Sequence, residues 1–160
     1  MFDLTVVSNR IKRGDMLLLL LYAKDEHNKM SPIKGKTRLQ KELFLAQKKL
    51  REMGIITYYS FLPYKLGPYS VELYDDVEWM SHEGVLSVKK INLGEKGIYA
   101  EFSITRKGMA DIEDKMKEEI IRHAYGAIEE IKQNYNNMNI TELVEYTHQV
   151  FPDYVQKFEN

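Results

Sequence analysis

The stretch GPYSVELYDDVEWMSHEGVL, residues 67–86, has the pattern of a helix that ends at a glycine and leads into a strand. Leu73, Val77 and Met80 fall on one side of that helix, which predicts that this side packs in the core. The opposite side is acidic, and residues 70–83 contain no lysine or arginine. The carboxylates of this stretch are Glu72, Asp75, Asp76, Glu78 and Glu83.

The neighbouring elements follow from apolar periodicity and from glycine and proline breakers. Thr37 and Thr105 are expected to cap the helices that they begin, and Pro152 to stop the last helix. In chain order the predicted elements are helix 11–26, turn 27–35, helix 37–53, extended segment 55–66, helix 68–84, strands 85–91 and 98–104 around NLGEKG, helix 105–136 and helix 140–151.

Three helices followed by a hairpin are the order of elements in a winged helix-turn-helix. The predicted fold class is therefore α+β and mostly helical, with a winged-helix-like core at residues 1–105 and the hairpin as its wing. Residues 106–160 are expected to form a helical extension that packs on the core or dimerises. Helix 105–136 carries an apolar stripe for roughly eight turns, too long for the core alone to cover, so we expect a homodimer through these C-terminal helices.

Composition narrows the class of protein. The chain has 160 residues, a formal net charge of −1 and no cysteine, which excludes disulfides, thiolate catalysis and zinc–thiolate sites. The most apolar run, residues 16–22, is far shorter than the about 20 residues that span a bilayer. Charged residues before that run also disfavour a secretory signal. We therefore expect a cytoplasmic protein with no membrane partner.

No pattern in the sequence indicates catalysis or a resident metal or cofactor. The four histidines are scattered, and Glu119 with His123 is the spacing of a solvated pair on one helix face more often than of two metal ligands. Gly94 and Gly97 lie in the predicted hairpin, where they cannot form a phosphate-binding loop before a helix. We expect no cofactor and no enzymatic activity.

Positive charge is concentrated in the second predicted helix. Residues 34–51 hold seven lysines and arginines against Glu42 alone, a local charge of +6. DNA affinity rests on such cations, and the acidic helix 70–83 would repel phosphate. If DNA is bound, contact is expected through this helix and the wing. The candidate residues are Lys36, Arg38, Lys41, Lys48, Lys89, Lys90 and Lys96.

Trp79 is the only tryptophan, and it falls among the carboxylates of helix 68–84. Either a terminal segment buries it, or it is an exposed anchor of the kind that dominates protein–protein interfaces. The leading hypothesis is a protein-interaction module that binds its partner through this face. The alternative is a winged-helix transcription regulator. The predicted partner-binding residues are Trp79, Glu72, Asp75, Asp76 and Glu83.

Two phrases, TRLQKELFLAQ at 37–47 and FLPYKLGPYSVELYDDV at 61–77, carry a family resemblance. They resemble the SocA-like Panacea antitoxin domain and, more closely, the YwgA-like group of prokaryotic proteins. The resemblance implies a module that binds a partner, such as a toxin, by direct contact. The residues that carry it are Leu39, Gln40, Lys41, Tyr64, Gly67, Pro68, Tyr69, Glu72, Leu73 and Tyr74.

The apolar periodicities predict a core that substitution can test. Leu43→Ala should lower the free energy of unfolding by about 2–5 kcal/mol, because a buried leucine loses its contacts and leaves a cavity. Chemical denaturation measures this, and a loss below about 1 kcal/mol would mean that the second helix is misplaced. The predicted core residues are Leu39, Leu43, Leu50, Leu73, Val77, Met80, Phe102 and Ile104.

Overall fold

The computed structural model describes residues 9–156 and has an α+β, mostly helical fold, as the sequence predicted. Across these residues no helix combines the length and apolarity needed to cross a bilayer. The elements are α1 (Arg13–Tyr22), β1 (Ile33–Lys34), α2 (Lys36–Glu52), β2 (Leu62–Tyr64), β3 (Gly67–Tyr69), α3 (Val71–His82), β4 (Leu86–Asn92), β5 (Ile98–Ile104), α4 (Arg106–Lys115), α5 (Glu119–Tyr135) and α6 (Ile140–Val150).

The larger sheet is antiparallel, with strand order β1-β5-β4. The β4–β5 hairpin was predicted, and its register pairs Leu86 with Ile104. Strand β1 was not predicted, because its two residues lie in a stretch that we expected to be a turn. Its strand character comes from a distant partner: buried Ile33 is opposite Phe102, and the Gly35 N–H donates to the Ala100 carbonyl at 2.7 Å.

A second, two-stranded sheet pairs β2 with β3 just before α3. The prediction that α3 begins near Pro68 was wrong, since Pro68 lies in β3 opposite Pro63 and the helix begins at Val71. Other boundaries also move. Helix α1 is shorter than 11–26, and Thr37 does not cap α2, because the helix already begins at Lys36 after Gly35.

The predicted single helix 105–136 is two helices, α4 and α5. Thr105 does cap α4, because its side chain accepts from the Gly108 N–H. The helix then stops, and the Arg122 guanidinium donates to the carbonyls of Met116 and Lys117 at 2.7 and 2.8 Å, which satisfies groups that a continuous helix would have bonded. The residues at this break are all compatible with a helix, so no local pattern predicts that the helix stops here.

Helix α5 turns back and packs against α1 and α2. Its apolar stripe, which includes Ile121, Ile128 and Ile131, is buried within one chain and belongs to the same core cluster as α1 and α2. The homodimer was predicted because this stripe was expected to need a cover from outside the core. A single chain covers the stripe, so the stripe gives no reason to expect a second copy. The predicted core is buried as expected except for Ile104, which is only partly buried.

Helix α2 lies at the centre of the molecule, and consecutive residues from Leu39 to Gln47 are buried. Glu42 is therefore fully enclosed, and neither of its carboxylate oxygens has a hydrogen bond within residues 9–156. Burial raises the pKa of Glu42 to about 8, against the opposing charges of Lys132 and Arg38. Burial likewise lowers the pKa of Lys132 to about 8, and its ammonium donates to the Leu21 carbonyl at 3.0 Å.

Substitution of this buried pair should show strong coupling. At pH 8, where Glu42 begins to ionise, Lys132→Met removes the cation that most strongly favours its charged form and should cost about 3 kcal/mol or more, whereas the double variant Glu42→Met/Lys132→Met should recover most of that loss. Urea unfolding measures both, with Lys24→Met at an exposed site as the control. A double variant no more stable than Lys132→Met would show that the two side chains do not interact.

The same pair predicts a pH dependence. Because the pKa of Glu42 is raised on folding, the folded chain holds a proton that the unfolded chain has lost between about pH 5 and 8, so the unfolding free energy falls as pH rises through that window. The double variant lacks this contribution and should show a smaller fall. Urea titrations at pH 6 and pH 8 measure the unfolding free energy of the unaltered chain and of the double variant. An equal fall between the two pH values in both chains would show that Glu42 is not the group responsible.

Candidate functional site

The outward face of α3 exposes Trp79, while Leu73, Val77 and Met80 on its other side are buried. The Trp79 side chain is 64% exposed, so of the two alternatives that the sequence left open, the structure has the exposed one. Its ring lies beside His82, with the ring centroids 6.4 Å apart.

The carboxylates of α3 divide into two groups. Glu72 accepts hydrogen bonds from the Ser60 N–H at 3.0 Å and the Ser70 hydroxyl at 3.3 Å. Asp76 accepts from the Arg13 guanidinium at 2.9 Å. These two therefore hold the fold together and are poorly placed to contact a partner, contrary to expectation.

The second group consists of Asp75, Glu78 and Glu83. Their side chains are exposed and have no ion pair within residues 9–156. We call these three residues with Trp79 and His82 the α3 face.

A shallow groove of about 570 Å³ runs beside Trp79, between α1 and α3. The buried side chains of Leu18 and Met80 contribute to its wall, and Tyr58, which is 47% exposed, lies along it. Two internal ion pairs, Arg13–Asp76 and Lys115–Asp15, border the groove, and the two charges within each pair neutralise each other. The groove thus offers apolar and aromatic surface next to the acidic face.

The basic helix is not the exposed cationic face that we expected. Lys41 is buried, and the Arg38 guanidinium is partly buried and donates to the Tyr135 carbonyl at 2.9 Å. The Lys48 ammonium lies 5.1–5.7 Å from three aromatic ring centroids. Of the four candidate residues on α2, Lys36 is the exposed one, and its ammonium lies 5.4 Å from the centroid of the Tyr74 ring. Lys89, Lys90 and Lys96 of the predicted wing are exposed on the β4–β5 hairpin.

Gln40 fastens the start of α3 to α2. Its side-chain amide donates to the Ser70 carbonyl at 2.9 Å, and its oxygen accepts from the Ser70 N–H at 2.8 Å. Gln47 makes the same two-way pairing with Tyr59, at 2.8 and 3.1 Å. The two glutamines are seven positions apart and so lie on one face of the helix, but this spacing alone did not predict the paired hydrogen bonds.

Most of the residues that carry the family resemblance surround one cavity of about 140 Å³ between α2 and the β2–β3 hairpin. Leu39 and Leu73 are instead core residues, and Glu72 holds the loop before α3. The cavity is lined by Thr37, Gln40, Lys41, Tyr64, Leu66, Gly67, Pro68, Tyr69 and Tyr74.

Within residues 9–156, no three side chains of the metal-ligating types come together at a site that could hold a metal ion. Comparison with known protein families finds no match to the chain, and comparison with curated proteins finds none either. The resemblance to the Panacea and YwgA-like groups therefore stays a prediction from the sequence.

The glutamine pairing can be tested without changing the size of the side chain. Gln40→Met leaves the buried N–H and carbonyl of Ser70 without their partners, which should cost about 1–3 kcal/mol. Gln133→Met, at an exposed position of α5, is the matched control and should change stability by less than about 0.5 kcal/mol. If Gln40→Met and Gln133→Met had the same melting temperature, the hydrogen bonds between Gln40 and Ser70 would contribute nothing measurable to stability.

Proposed function

We propose that this protein is a non-enzymatic interaction module, antitoxin-like or an adaptor, that binds a basic protein partner through the α3 face. The observation that carries the proposal is the exposure of Trp79 beside a groove. A cytoplasmic location suits this role. A second copy of the chain is not required, because the apolar stripe of α5 is covered within one chain.

Trp79 has the properties of an interface anchor. A tryptophan carries a large apolar surface, and leaving most of it in water forfeits the stabilisation that burial would give. Tryptophan is also enriched among the few residues that carry most of the binding energy of protein interfaces. The neighbouring Tyr58 and the apolar wall of the groove extend the surface that a partner would cover.

The charge of the α3 face indicates the chemistry of the partner. Asp75, Glu78 and Glu83 have no ion pair within residues 9–156, and two cations of the groove, Arg13 and Lys115, already pair with Asp76 and Asp15. A partner with lysines or arginines around an apolar pocket would complement this face. Such charges at the edge of an interface chiefly accelerate encounter and select the partner.

A winged-helix DNA-binding regulator is the second candidate function. It is favoured by the exposed wing lysines Lys89, Lys90 and Lys96 and by the order of three helices and a hairpin. Against it, α3 presents carboxylates where a groove-reading helix needs arginine or lysine. The burial or internal engagement of Lys41, Arg38 and Lys48 also removes most of the cationic surface that α2 was expected to supply.

A photo-crosslinking amino acid at position 79 would identify the partner in the source cells, with position 98 as the control. Ile98 is 66% exposed and lies on the hairpin, so it matches Trp79 in exposure but not in location. Against the purified partner, Trp79→Ala should weaken binding by about 2 kcal/mol, or about 30-fold. The same substitution should change the unfolding free energy by less than about 1 kcal/mol.

Two further measurements separate the candidate functions. Asp75→Lys with Glu78→Lys should slow association and alter its salt dependence while leaving the fold intact, because neither side chain has an ion pair within residues 9–156. An unchanged affinity of Trp79→Ala for the partner would remove the α3 face from the interface. Tight binding of DNA at physiological salt, lost on Lys89→Glu with Lys90→Glu, would favour the regulator instead.

A further inference from the structure

The cavity between α2 and the β2–β3 hairpin contains a cation that none of the described residues neutralises. Lys41 is 2% exposed, and its ammonium has no hydrogen bond or ion pair within residues 9–156. An ammonium has three donors and is costly to bury unless a partner compensates it. The other buried lysine, Lys132, does have such a partner in the Leu21 carbonyl. Lys41 differs because it faces a cavity.

The electrostatics of this cavity favour an anion. No carboxylate is among its lining residues. Glu42 follows Lys41 in the sequence, but on a helix it points about 100° away, toward Lys132 and Arg38. Lys36, against the Tyr74 ring at the edge of the cavity, adds a second positive charge. A negative group entering here would meet cations and no competing acid.

The shape of the cavity favours a flat, apolar body behind that negative group. The Tyr64 and Tyr69 rings stack with centroids 4.8 Å apart, and the Tyr74 ring lies 5.6 Å from that of Tyr69. The volume, about 140 Å³, is close to the roughly 150 Å³ of a cavity known to hold benzene. One aromatic ring with a short substituent therefore fits.

The backbone around Lys41 is shaped to leave this space. Gly67 has φ of +105°, a conformation that side-chain-bearing residues rarely adopt. A Cβ atom at this position would lie 3.2 Å from both Cε and Nζ of Lys41. Gln40 fixes the opposite wall through its two bonds to Ser70. The cavity is therefore a formed feature of the fold.

We propose that this cavity binds a small aromatic monocarboxylate, with the carboxylate paired to Lys41 Nζ and the ring held among Tyr64, Tyr69 and Tyr74. Burial lowers the pKa of Lys41 to about 8, so at pH 7 the ammonium is still largely protonated and available to pair. The site is separate from the α3 face, since Trp79 does not line the cavity. Ligand binding and partner binding thus stand or fall independently.

Benzoate is the probe, and benzamide is its neutral counterpart of nearly the same shape. Titration of the full chain at pH 7, followed by amide chemical shifts, should give an affinity for benzoate about ten-fold or more above that for benzamide, because a charge-assisted bond replaces a neutral one. The shifts should centre on the β2–β3 hairpin and the first turns of α2. Absence of benzoate binding, or equal affinity for the two compounds, would overturn the proposal.

Lys41→Met removes the charge and keeps an unbranched side chain. In this variant the preference for benzoate over benzamide should disappear. Lys48→Met is the control, because Lys48 lies two turns further along α2 and outside the cavity, and it should retain the preference. Retention of the preference in Lys41→Met would assign the anion to another cation.

A measurement on the unaltered chain tests the site even if the Lys41→Met variant does not fold. With ¹³C-labelled lysine, benzoate should shift the Cε resonance of Lys41 and leave that of exposed Lys24 in place. A shift shared equally by the surface lysines would indicate nonspecific association and would contradict the site.

Discussion

The structure depends on the burial of α2, a helix that carries polar side chains on every side. A polar group that is buried in a small protein without a partner costs free energy, and the stability of a domain of this size is small enough for one such cost to matter. Gln40 and Gln47 avoid this cost by pairing with the backbone of Ser70 and Tyr59 in both directions. Each glutamine side chain thereby gives a loop residue one donated and one accepted hydrogen bond, the same pairing that a neighbouring β-strand would provide.

Neighbouring features follow from those two attachments. The connection between α2 and α3 is held against the helix at both glutamines, so the β2–β3 hairpin can fold over α2 and enclose the Lys41 cavity. The same attachment at Ser70 fixes where α3 begins and which of its sides faces outward. Glu42 and Lys132 then join α2 to α5 on the opposite side. The candidate sites are thus positioned by polar contacts of one helix.

Apolar periodicity predicted the elements that depend on local pattern. The buried side of α3, the β4–β5 hairpin and the cap at Thr105 were all readable from the sequence. Strand β1 was not, because its partner β5 is distant in the chain. The break between α4 and α5 was also missed, since helix-forming residues continue across it and the turn depends on Arg122 contacts.

The candidate sites were predictable in part and for similar reasons. The wheel of α3 predicted the acidic face, but it could not separate Asp75 from Asp76, whose partner Arg13 lies on another helix. The lysines of α2 predict a cationic surface, because lysine is usually exposed. Burial of Lys41 depends on the hairpin that covers it, and no local pattern indicates that contact.

The isolation of Trp79 has a spectroscopic consequence. A lone indole that is already in water when the chain is folded gains little further solvent on unfolding, so the tryptophan emission of this protein is a weak signal for global denaturation. The tyrosines and the backbone dichroism report the core instead. For the same reason, a blue shift of that emission would indicate with little background that something has come to rest against α3.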